Sequence, residues 1–203
     1  MFSTAIIKTE YLPPVSTFWA LANSDKVLLE VKENYQKKST RNRARIQGVN
    51  KIEVLSVPLK RGKNSKMPIE NVQVSYDDNW PGKHLHSIRS AYGNSPYFDF
   101  YFESIETIIR TEYDTLLELN NTLLNLFLES LTLSTDIQNT TAFKSEYEIN
   151  DCDLRFVKYN DPILPNYTPK KYNQVFEEKH GFVPNLSILD LIMCKGPESI
   201  LYI

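Results

Sequence analysis

The sequence has few of the residues from which common catalytic motifs are built. It contains six glycines, and none of them falls into the G-x-G-x-x-G or G-x-x-x-x-G-K-[ST] patterns that cradle phosphates. The G-x-S-x-G turn that carries the nucleophile of α/β-hydrolases is also missing. These absences exclude the well-marked phosphate loops and that hydrolase motif, so no short motif names the reaction.

Cysteine and histidine are equally sparse. The two cysteines, Cys152 and Cys194, cannot form a disulfide framework, and free thiols fit a reducing cytoplasm. Of the three histidines, His84 and His86 lie two residues apart, so on a helix they would point in different directions and could not share a metal ion. We therefore expect no metal site and no cofactor.

Long apolar runs are absent as well. No segment approaches the 18 consecutive apolar residues of a membrane-spanning helix, and the first ten residues lack the pattern of a signal peptide. Hydrophobic residues make up 41% of the chain and charged residues 24%, which is typical of a globular protein. We predict one cytoplasmic domain over residues 1–203.

The charge is unevenly distributed. The net charge of −2 argues against a dedicated nucleic-acid binder, yet residues 1–100 hold 15 basic against 9 acidic side chains, and residues 101–203 hold 8 against 16. The segment 37–66 contains ten basic residues and a single acidic one, Glu53. Such a block forms either a solvated face or an anion-binding site.

The first 79 residues are rich in strand signals. An apolar strand at 4–8, a helix beginning near Ser16 or Thr17 and a second strand at 27–31 form a β-α-β unit, which normally joins parallel strands. Further strands are predicted at 52–59 and 71–76. The fold class is therefore α/β, with a mostly parallel or mixed sheet.

Helical periodicity replaces the strand pattern in the second part, residues 80–133. One helix is expected to start at Pro81 and end at Gly93, and one or two more fill 97–131, with a break near Asn120-Asn121. The third part, 134–203, is irregular, with a strand at 154–159 and a C-terminal helix. That helix starts with a capping box of Ser187 and Asp190.

The basic segment 37–46 is the first candidate binding element. Arg41 and Arg43, with Asn42 between them, could hold phosphate or carboxylate through bidentate hydrogen bonds. The alternative is a solvated basic loop. Its position after the second strand favours a ligand, because open α/β sheets bind ligands at the carboxyl ends of their strands. Glu30, at that strand end, is either a base or a salt-bridge partner.

Two helix starts supply the other candidates. Lys83 and His84 could provide charge and proton transfer, although His84 could equally be a hydrogen-bonded core residue. Asn185 and Ser187 precede the last helix, where an anion could bind, although capping alone explains Ser187.

A set of short elements, in order along almost the whole chain, resembles the WbqC-like protein family, in the shorter version typical of Bacteroidetes. The elements are Tyr11-Leu12-Pro13, Glu30 to Tyr35, Arg41-Asn42-Arg43 with Ile46, Val57-Pro58, Trp80 with His84 and Ile88, Ala91-Tyr92, Ser95-Pro96 with Phe98, Asn185 to Leu191, and Gly196-Pro197-Glu198.

The resemblance implies a transferase of surface-polysaccharide biosynthesis of the O-antigen type, with aminoacyl (glycine) transfer as one form of the reaction. On this interpretation the protein binds an anionic or nucleotide-linked donor. The predicted catalytic residues are His84, Lys83 and Glu30, and the predicted substrate-binding residues are Tyr11, Arg41, Asn42, Arg43, Tyr92, Asn185 and Ser187. The alternative is a non-catalytic anion-binding or scaffold protein of the same pathway.

Overall fold

The N-terminal unit has the predicted strand-helix-strand form. The computed structural model describes residues 1–62, 64–148, 150–158, 164 and 167–203. Strand β1 (Phe2–Lys8), helix α1 (Val15–Ala22) and strand β2 (Ser24–Glu30) follow one another. β1 pairs in parallel with β2, from Phe2 opposite Ser24 to Lys8 opposite Glu30. The two carboxyl ends of these strands therefore lie side by side.

The next element is a hairpin, whose second strand lies within the strand predicted at 52–59 and whose first strand the sequence analysis did not predict. Strands β3 (Arg43–Gln47) and β4 (Ile52–Ser56) pair antiparallel. From the sequence, the basic segment 37–46 is interpreted as a loop that follows the second strand, but β3 begins within this segment, at Arg43. The alternation of Arg43 and Arg45 with Ala44 and Ile46, both of which are buried, is the strand pattern that the charge concealed.

Three helices follow, α2 (Trp80–Tyr92), α3 (Phe98–Arg110) and α4 (Leu116–Ser130). The break between α3 and α4 was expected near Asn120-Asn121, but it lies at 111–115. The reason is a capping box in which Thr115 accepts a hydrogen bond from the Glu118 amide and Glu118 accepts one from the Thr115 amide. Asn120 is a buried residue in the middle of α4.

Two short strands complete the main sheet. β5 (Ile137–Asn139) pairs in parallel with β2, and β6 (Cys152–Asp153) pairs in parallel with β1. The order is β5-β2-β1-β6, so the prediction of a mostly parallel sheet is confirmed. The strand predicted at 154–159 is wrong for its described part, because residues 154–158 follow β6 as irregular structure and a turn; Tyr159 lies outside the described residues.

The strand predicted at 71–76 is wrong. A 3₁₀ turn (Ile69–Asn71) comes first, and the segment then makes only isolated bridges, from Val74 to Leu59 and from Gln73 to Thr115. Val72 and Val74 are buried, which accounts for the alternating pattern in the sequence. Another 3₁₀ turn (Asn64–Lys66) precedes it.

The C-terminal part holds the centre of the core. A single helical turn, α5 (Glu177–His180), precedes α6 (Ile188–Lys195) and a 3₁₀ segment (Gly196–Tyr202). Ser187 caps α6 by accepting a hydrogen bond from the Leu189 amide. The predicted capping box is incomplete, since the Asp190 carboxylate instead accepts hydrogen bonds from Tyr172 and Gln174.

Helix α6 is surrounded by the rest of the protein. Five of its apolar residues have no exposed surface, and the helix contacts α1, α3 and β3. A helix that is apolar on all sides belongs in the centre of a domain. Among the described residues, no helix has the length and apolar character needed to cross a membrane.

Candidate functional site

The strand order defines one crevice at the edge of the sheet. The chain runs from β1 to β2 and β5 on one side, and then crosses to β6 on the other side of β1. The order of the strands therefore reverses at β1. In open α/β sheets, ligands bind at such a switch point, outside the carboxyl ends of the strands.

The crevice at this switch point is narrow and is lined by seven polar and three apolar residues. Its cavity volume of about 20 Å³ accommodates one small group. The ends of β1 and β6, the start of α1 and the segment before α6 contribute its walls. The residues that line the crevice are Lys8, Glu10, Pro14, Ser16, Thr17, Thr40, Leu154, Val157, Lys158 and Asn185.

Lys8 and Glu10 form the buried floor of the crevice. The Lys8 ammonium donates to the carbonyl oxygens of Leu154 (2.7 Å) and Val157 (3.0 Å) and lies 3.3 Å from Glu10 Oε1. Glu10 accepts hydrogen bonds from the hydroxyls of Thr17 (2.6 Å) and Thr40 (2.5 Å). A positive and a negative group are thus held rigidly where β1 ends, because each has several partners.

Asn185 closes the crevice at the start of α1. Its Oδ1 accepts a hydrogen bond from the Ser16 amide at 3.0 Å. The backbone of 185–188 is fixed against the loop before α1, because the Val15 amide donates to Leu186 O (3.0 Å) and the Ile188 amide to Pro13 O (2.8 Å). Of the predicted binding residues, Asn185 is the one that lines this crevice.

Two buried salt-bridge groups lie beside the crevice, at the end of β2. Arg41 binds Glu33 with two hydrogen bonds, of which Nε–Oε1 is 2.7 Å, and both side chains are almost fully buried. Burial raises the pKa of Glu33, and the hydrogen bond and charge of Arg41 oppose that rise. Arg41 therefore serves an internal ion pair and does not face solvent as a basic loop residue would.

The second group joins Glu30 to Arg155. Arg155 Nη1 lies 3.1 Å from Glu30 Oε2, and its other nitrogens bind Asp153 at 2.7–3.2 Å. Glu30 also accepts hydrogen bonds from Thr140 Oγ1 (2.7 Å) and the Lys32 amide (2.8 Å). Because Glu30 has no exposed surface, its predicted catalytic role stays a prediction that requires this edge to open.

Arg155 also holds the segment 141–148 over the sheet edge. It donates to the Lys144 carbonyl at 2.7 Å, and its guanidinium lies 4.7–5.1 Å from the ring centres of Phe143, Tyr147 and Phe156. Phe143 is half exposed and lines a wider pocket of about 460 Å³ together with residues 32–36. This pocket has the size of a small-molecule site and opens where β2 ends.

The remaining residues of the predicted basic cluster lie in the β3 region. Asn42 is buried, accepts a hydrogen bond from Tyr35 Oη (2.8 Å) and donates one to Val57 O (2.8 Å). Arg43 begins β3 and is half buried. Asn42 thus joins neighbouring segments of the chain, and its predicted contact with substrate stays a prediction.

His84, Tyr11 and Lys83 do not join the crevice. His84 is buried, its Nε2 accepts a hydrogen bond from the Ser56 amide (3.1 Å), and its Nδ1 lies 2.9 Å from Tyr11 Oη. Burial lowers the pKa of His84 to about 4. The imidazole is therefore neutral at pH 7, with Nδ1 carrying the proton. Lys83 is exposed and pairs with Asp78 at 2.7 Å.

Tyr92 and Ser187 lie against helix α6. Tyr92 is buried, and its pKa is raised well above the usual value by burial and by the charge of Asp190. Burial raises the pKa of Asp190 itself to about 6. Ser187 is occupied by capping α6. The geometry supports structural roles for both residues more strongly than the predicted contacts with substrate.

Thiol and metal chemistry find little support in the described residues. Cys152 and Cys194 are free and buried, and burial raises their pKa values to about 11 and about 12. Both are therefore thiols at pH 7. In the part of the chain that the structure describes, no three His, Cys, Asp or Glu side chains are grouped so that they could hold a metal ion.

Sequence reasoning missed several residues of the crevice and its surroundings. These residues belong to separate segments that the order of the strands brings together, and they are Lys8, Thr17, Thr40, Arg155 and Lys158. The available signal was a charged or polar residue directly after each strand of a parallel sheet. It could be used for Glu30, since β2 was predicted, but not for Arg155, because β6 is two residues long.

Comparison with known proteins shows the family of the chain. The model of the WbqC-like protein family matches residues 9–158 and 142–202. The chain belongs to the WbqC-like protein family. The family resemblance inferred from the short sequence elements is thereby confirmed.

A relative in the same size range is the uncharacterized protein Rv1507c of Mycobacterium tuberculosis. It is 25% identical over 226 aligned positions, which cover 98% of this chain and 96% of the relative. Its description assigns no activity. No solved structure matches the chain. The site must therefore be interpreted from its own chemistry.

Proposed function

We propose that the protein is a transferase that binds the phosphate-bearing end of an anionic or nucleotide-linked donor in the switch-point crevice. The observation that carries the proposal is the position of the Lys158 side chain and the Ser16 hydroxyl at one opening between β1 and β6, next to the buried ammonium of Lys8. Ammonium and hydroxyl groups are the side chains that bind phosphate oxygens.

Glu10 gives the crevice a group that can accept a proton. In the proposed transfer, an oxygen or nitrogen of the acceptor forms a bond to the transferred group, and the bond from that group to the phosphate-bearing leaving group breaks. The leaving group keeps the electron pair, and the acceptor's proton passes to Glu10. Glu10 is held by Thr17 and Thr40, so its carboxylate is oriented in advance.

The wider pocket beside Phe143 is the proposed place for the acceptor. It lies at the end of β2, adjacent to the strand that carries the donor crevice, and its size suits a small molecule. The setting of surface-polysaccharide biosynthesis, and aminoacyl transfer as one form of the reaction, belong to this proposal through the family resemblance.

A non-catalytic anion-binding protein is the second candidate. It is favoured by the way in which Arg41 and Arg155 are occupied by internal carboxylates and both His84 nitrogens by internal hydrogen bonds. Both candidates bind anions, so binding is tested first and turnover second.

The binding test uses Lys158, the exposed cation of the crevice. Inorganic diphosphate, UDP and UDP-glucose are titrated while the melting temperature is measured, since a ligand that binds the folded state raises it. Lys158→Ala should weaken the binding at least about fivefold, the value of one hydrogen bond of about 1 kcal/mol. Lys171→Ala, another exposed lysine, is the matched control.

Unchanged affinity in Lys158→Ala would contradict the proposed site. Glu10→Gln then separates the two candidates, since the amide cannot take up the proton. A transferase variant of this kind retains donor binding and loses transfer to an added acceptor. In a non-catalytic protein, neither the wild type nor the variant releases the donor's leaving group.

A further inference from the structure

The start of helix α1 has one amide whose hydrogen-bond acceptor can be exchanged. The Val15 amide donates to Leu186 O and the Thr17 amide donates to Pro14 O, both at 3.0 Å and both fixed by the backbone. The Ser16 amide between them donates to the side chain of Asn185 at 3.0 Å. Only this third acceptor can leave by rotation of a side chain.

Asn185 can release the amide without moving the backbone. Its φ is 55°, in the left-handed region that asparagine and glycine tolerate best. Hydrogen bonds of the flanking residues, and the bridge from Ser187 to Pro14, hold the segment against the loop before α1. Rotation of the Asn185 side chain would therefore leave the Ser16 amide free to donate to another acceptor.

A second observation points to a ligand group beside the crevice. Asn120 is 1% exposed, and its Nδ2 donates to Arg41 O (2.8 Å) and Thr9 Oγ1 (3.0 Å), which fixes the orientation of the amide. Its Oδ1 is buried and has no hydrogen-bond partner among the described residues. An acceptor that is buried without a donor is costly, so it calls for an explanation.

A second small cavity, at Asn120, borders the crevice. Its lining includes Lys8, Glu10 and Thr17, which also line the crevice. Its volume of about 10 Å³ suits one hydroxyl or amino group. The Asn120 cavity thus offers an acceptor to a donor group, while the crevice offers Lys158 and the hydroxyl and amide of Ser16 to an anion.

We propose that the Asn185 carboxamide oxygen occupies the position at the Ser16 amide that an anionic oxygen of the ligand takes when it binds. Asn185 therefore competes with the ligand and lowers its affinity for the crevice. The ligand class is a phosphate-bearing molecule that also carries a hydroxyl or amino group. This inference rests on the proposed function. Binding rotates Asn185 away, and the Ser16 amide donates to the phosphate.

The test compares two substitutions with opposite expected effects on affinity. Inorganic diphosphate is titrated calorimetrically into the wild type, Asn185→Gly and Asn185→Asp. Asn185→Gly keeps the left-handed backbone and uncovers the Ser16 amide, so the dissociation constant should fall at least about fivefold, although the melting temperature also falls. Asn185→Asp places a negative charge at the Ser16 amide, where the anionic oxygen of the ligand would bind, so the dissociation constant should rise at least about tenfold.

A purely structural cap predicts a different pattern. Asn185→Gly would then melt at a lower temperature with unchanged or weaker affinity for diphosphate, and this result would overturn the inference. If the wild type binds and Lys158→Ala loses affinity while Asn185→Gly gains none, the inference fails and the proposed function stands. If none of the proteins binds diphosphate, UDP or UDP-glucose, both fail.

Discussion

His84 ties the stability of the protein to pH through one buried ring. Its pKa is about 4 in the folded protein because of burial, against 6.5 as the ordinary value. Between these two values the unfolded chain takes up a proton that the folded protein does not. The contribution of His84 to stability is therefore complete above pH 6.5 and is lost as the pH falls to about 4.

Replacing His84 by glutamine should remove this loss. The free energy of unfolding of the wild type, relative to that of His84→Gln, should decrease by on the order of 3 kcal/mol from pH 7 to pH 4, at 1.36 kcal/mol per pKa unit. Urea unfolding at intervals of half a pH unit measures it. His86→Gln, on the same helix, is the control. A constant difference between wild type and His84→Gln would show that His84 has the same pKa in the folded and the unfolded protein.

Single residues also show where reasoning from sequence reached its limit. Asn185 was placed at a ligand site because it lies before a helix, and it does line the crevice, although the helix it caps is α1 rather than α6. Arg41 was interpreted as an exposed anion binder, because its pairing with Glu33 depends on how the loop after β2 folds back. Burial of a charge cannot be read from neighbouring residues.

At the scale of elements, segment 141–148 depends on one side chain. Arg155 binds the Lys144 carbonyl, contacts the rings of Phe143 and Tyr147, and pairs with Glu30 beneath them. The segment has few other anchors, since most of its residues are exposed. We therefore expect segment 141–148 to be ordered only when the Arg155 guanidinium is present.

Replacing Arg155 by methionine should loosen this segment and lower the stability. The change leaves Glu30 buried without its partner, which costs about 3–5 kcal/mol. Urea unfolding at pH 7 measures this loss, and the rate of tryptic cleavage after Lys144 measures the release of the segment. Arg110→Met removes an exposed pair with Glu106 and should cost about 0.5 kcal/mol or less. Unaltered cleavage after Lys144 in Arg155→Met would mean that other contacts hold the segment.

The elements that could be predicted are those with strong local patterns. The β-α-β unit, α2 and the C-terminal helix have an apolar periodicity that was correctly interpreted. The first strand of the hairpin was missed because arginines alternate with its buried residues, and a strand was wrongly predicted at 71–76 because two buried valines alternate. The local alternation of apolar and polar residues indicates which side chains are buried. Whether the segment pairs with a neighbouring strand depends on residues that are distant in the sequence.

For the whole molecule, Asp190 counteracts His84. Burial raises the Asp190 pKa from 3.8 to about 6, so the folded protein takes up a proton at higher pH than the unfolded chain does. Its contribution to stability therefore increases as the pH falls from about 6 to 3.8, by on the order of 3 kcal/mol. The two buried groups thus act in opposite directions in nearly the same pH range.

Asp190→Asn should expose the effect of His84 alone. Relative to the wild type, this variant should lose on the order of 3 kcal/mol of unfolding free energy between pH 6.5 and pH 4, measured by urea unfolding. His84→Gln should show the opposite trend in the same buffers, and this serves as the internal comparison. Parallel curves for wild type and Asp190→Asn would mean that Asp190 titrates in the folded protein as it does when unfolded.

The arrangement of the whole sheet, and with it the crevice, could not be derived from the sequence. The strands β5 and β6 are three and two residues long, too short for a recognisable pattern, yet they decide where the switch point lies. The crevice combines residues from position 8 to position 185. The sequence therefore predicted the kind of fold, and it placed the proposed ligand site at the carboxyl ends of the strands, but it did not predict which side chains meet there.

The strand order also has a consequence for synthesis on the ribosome. β1 gains its first neighbour within 30 residues, but its other neighbour, β6, is translated only at residues 152–153. At 5–20 residues per second, this edge of β1 stays open for roughly 8 to 30 s. The apolar helix α6 emerges later still, at residues 188–195. The nascent chain is thus exposed to aggregation throughout this interval, and a ribosome-bound chaperone that covers residues 2–8 would protect it.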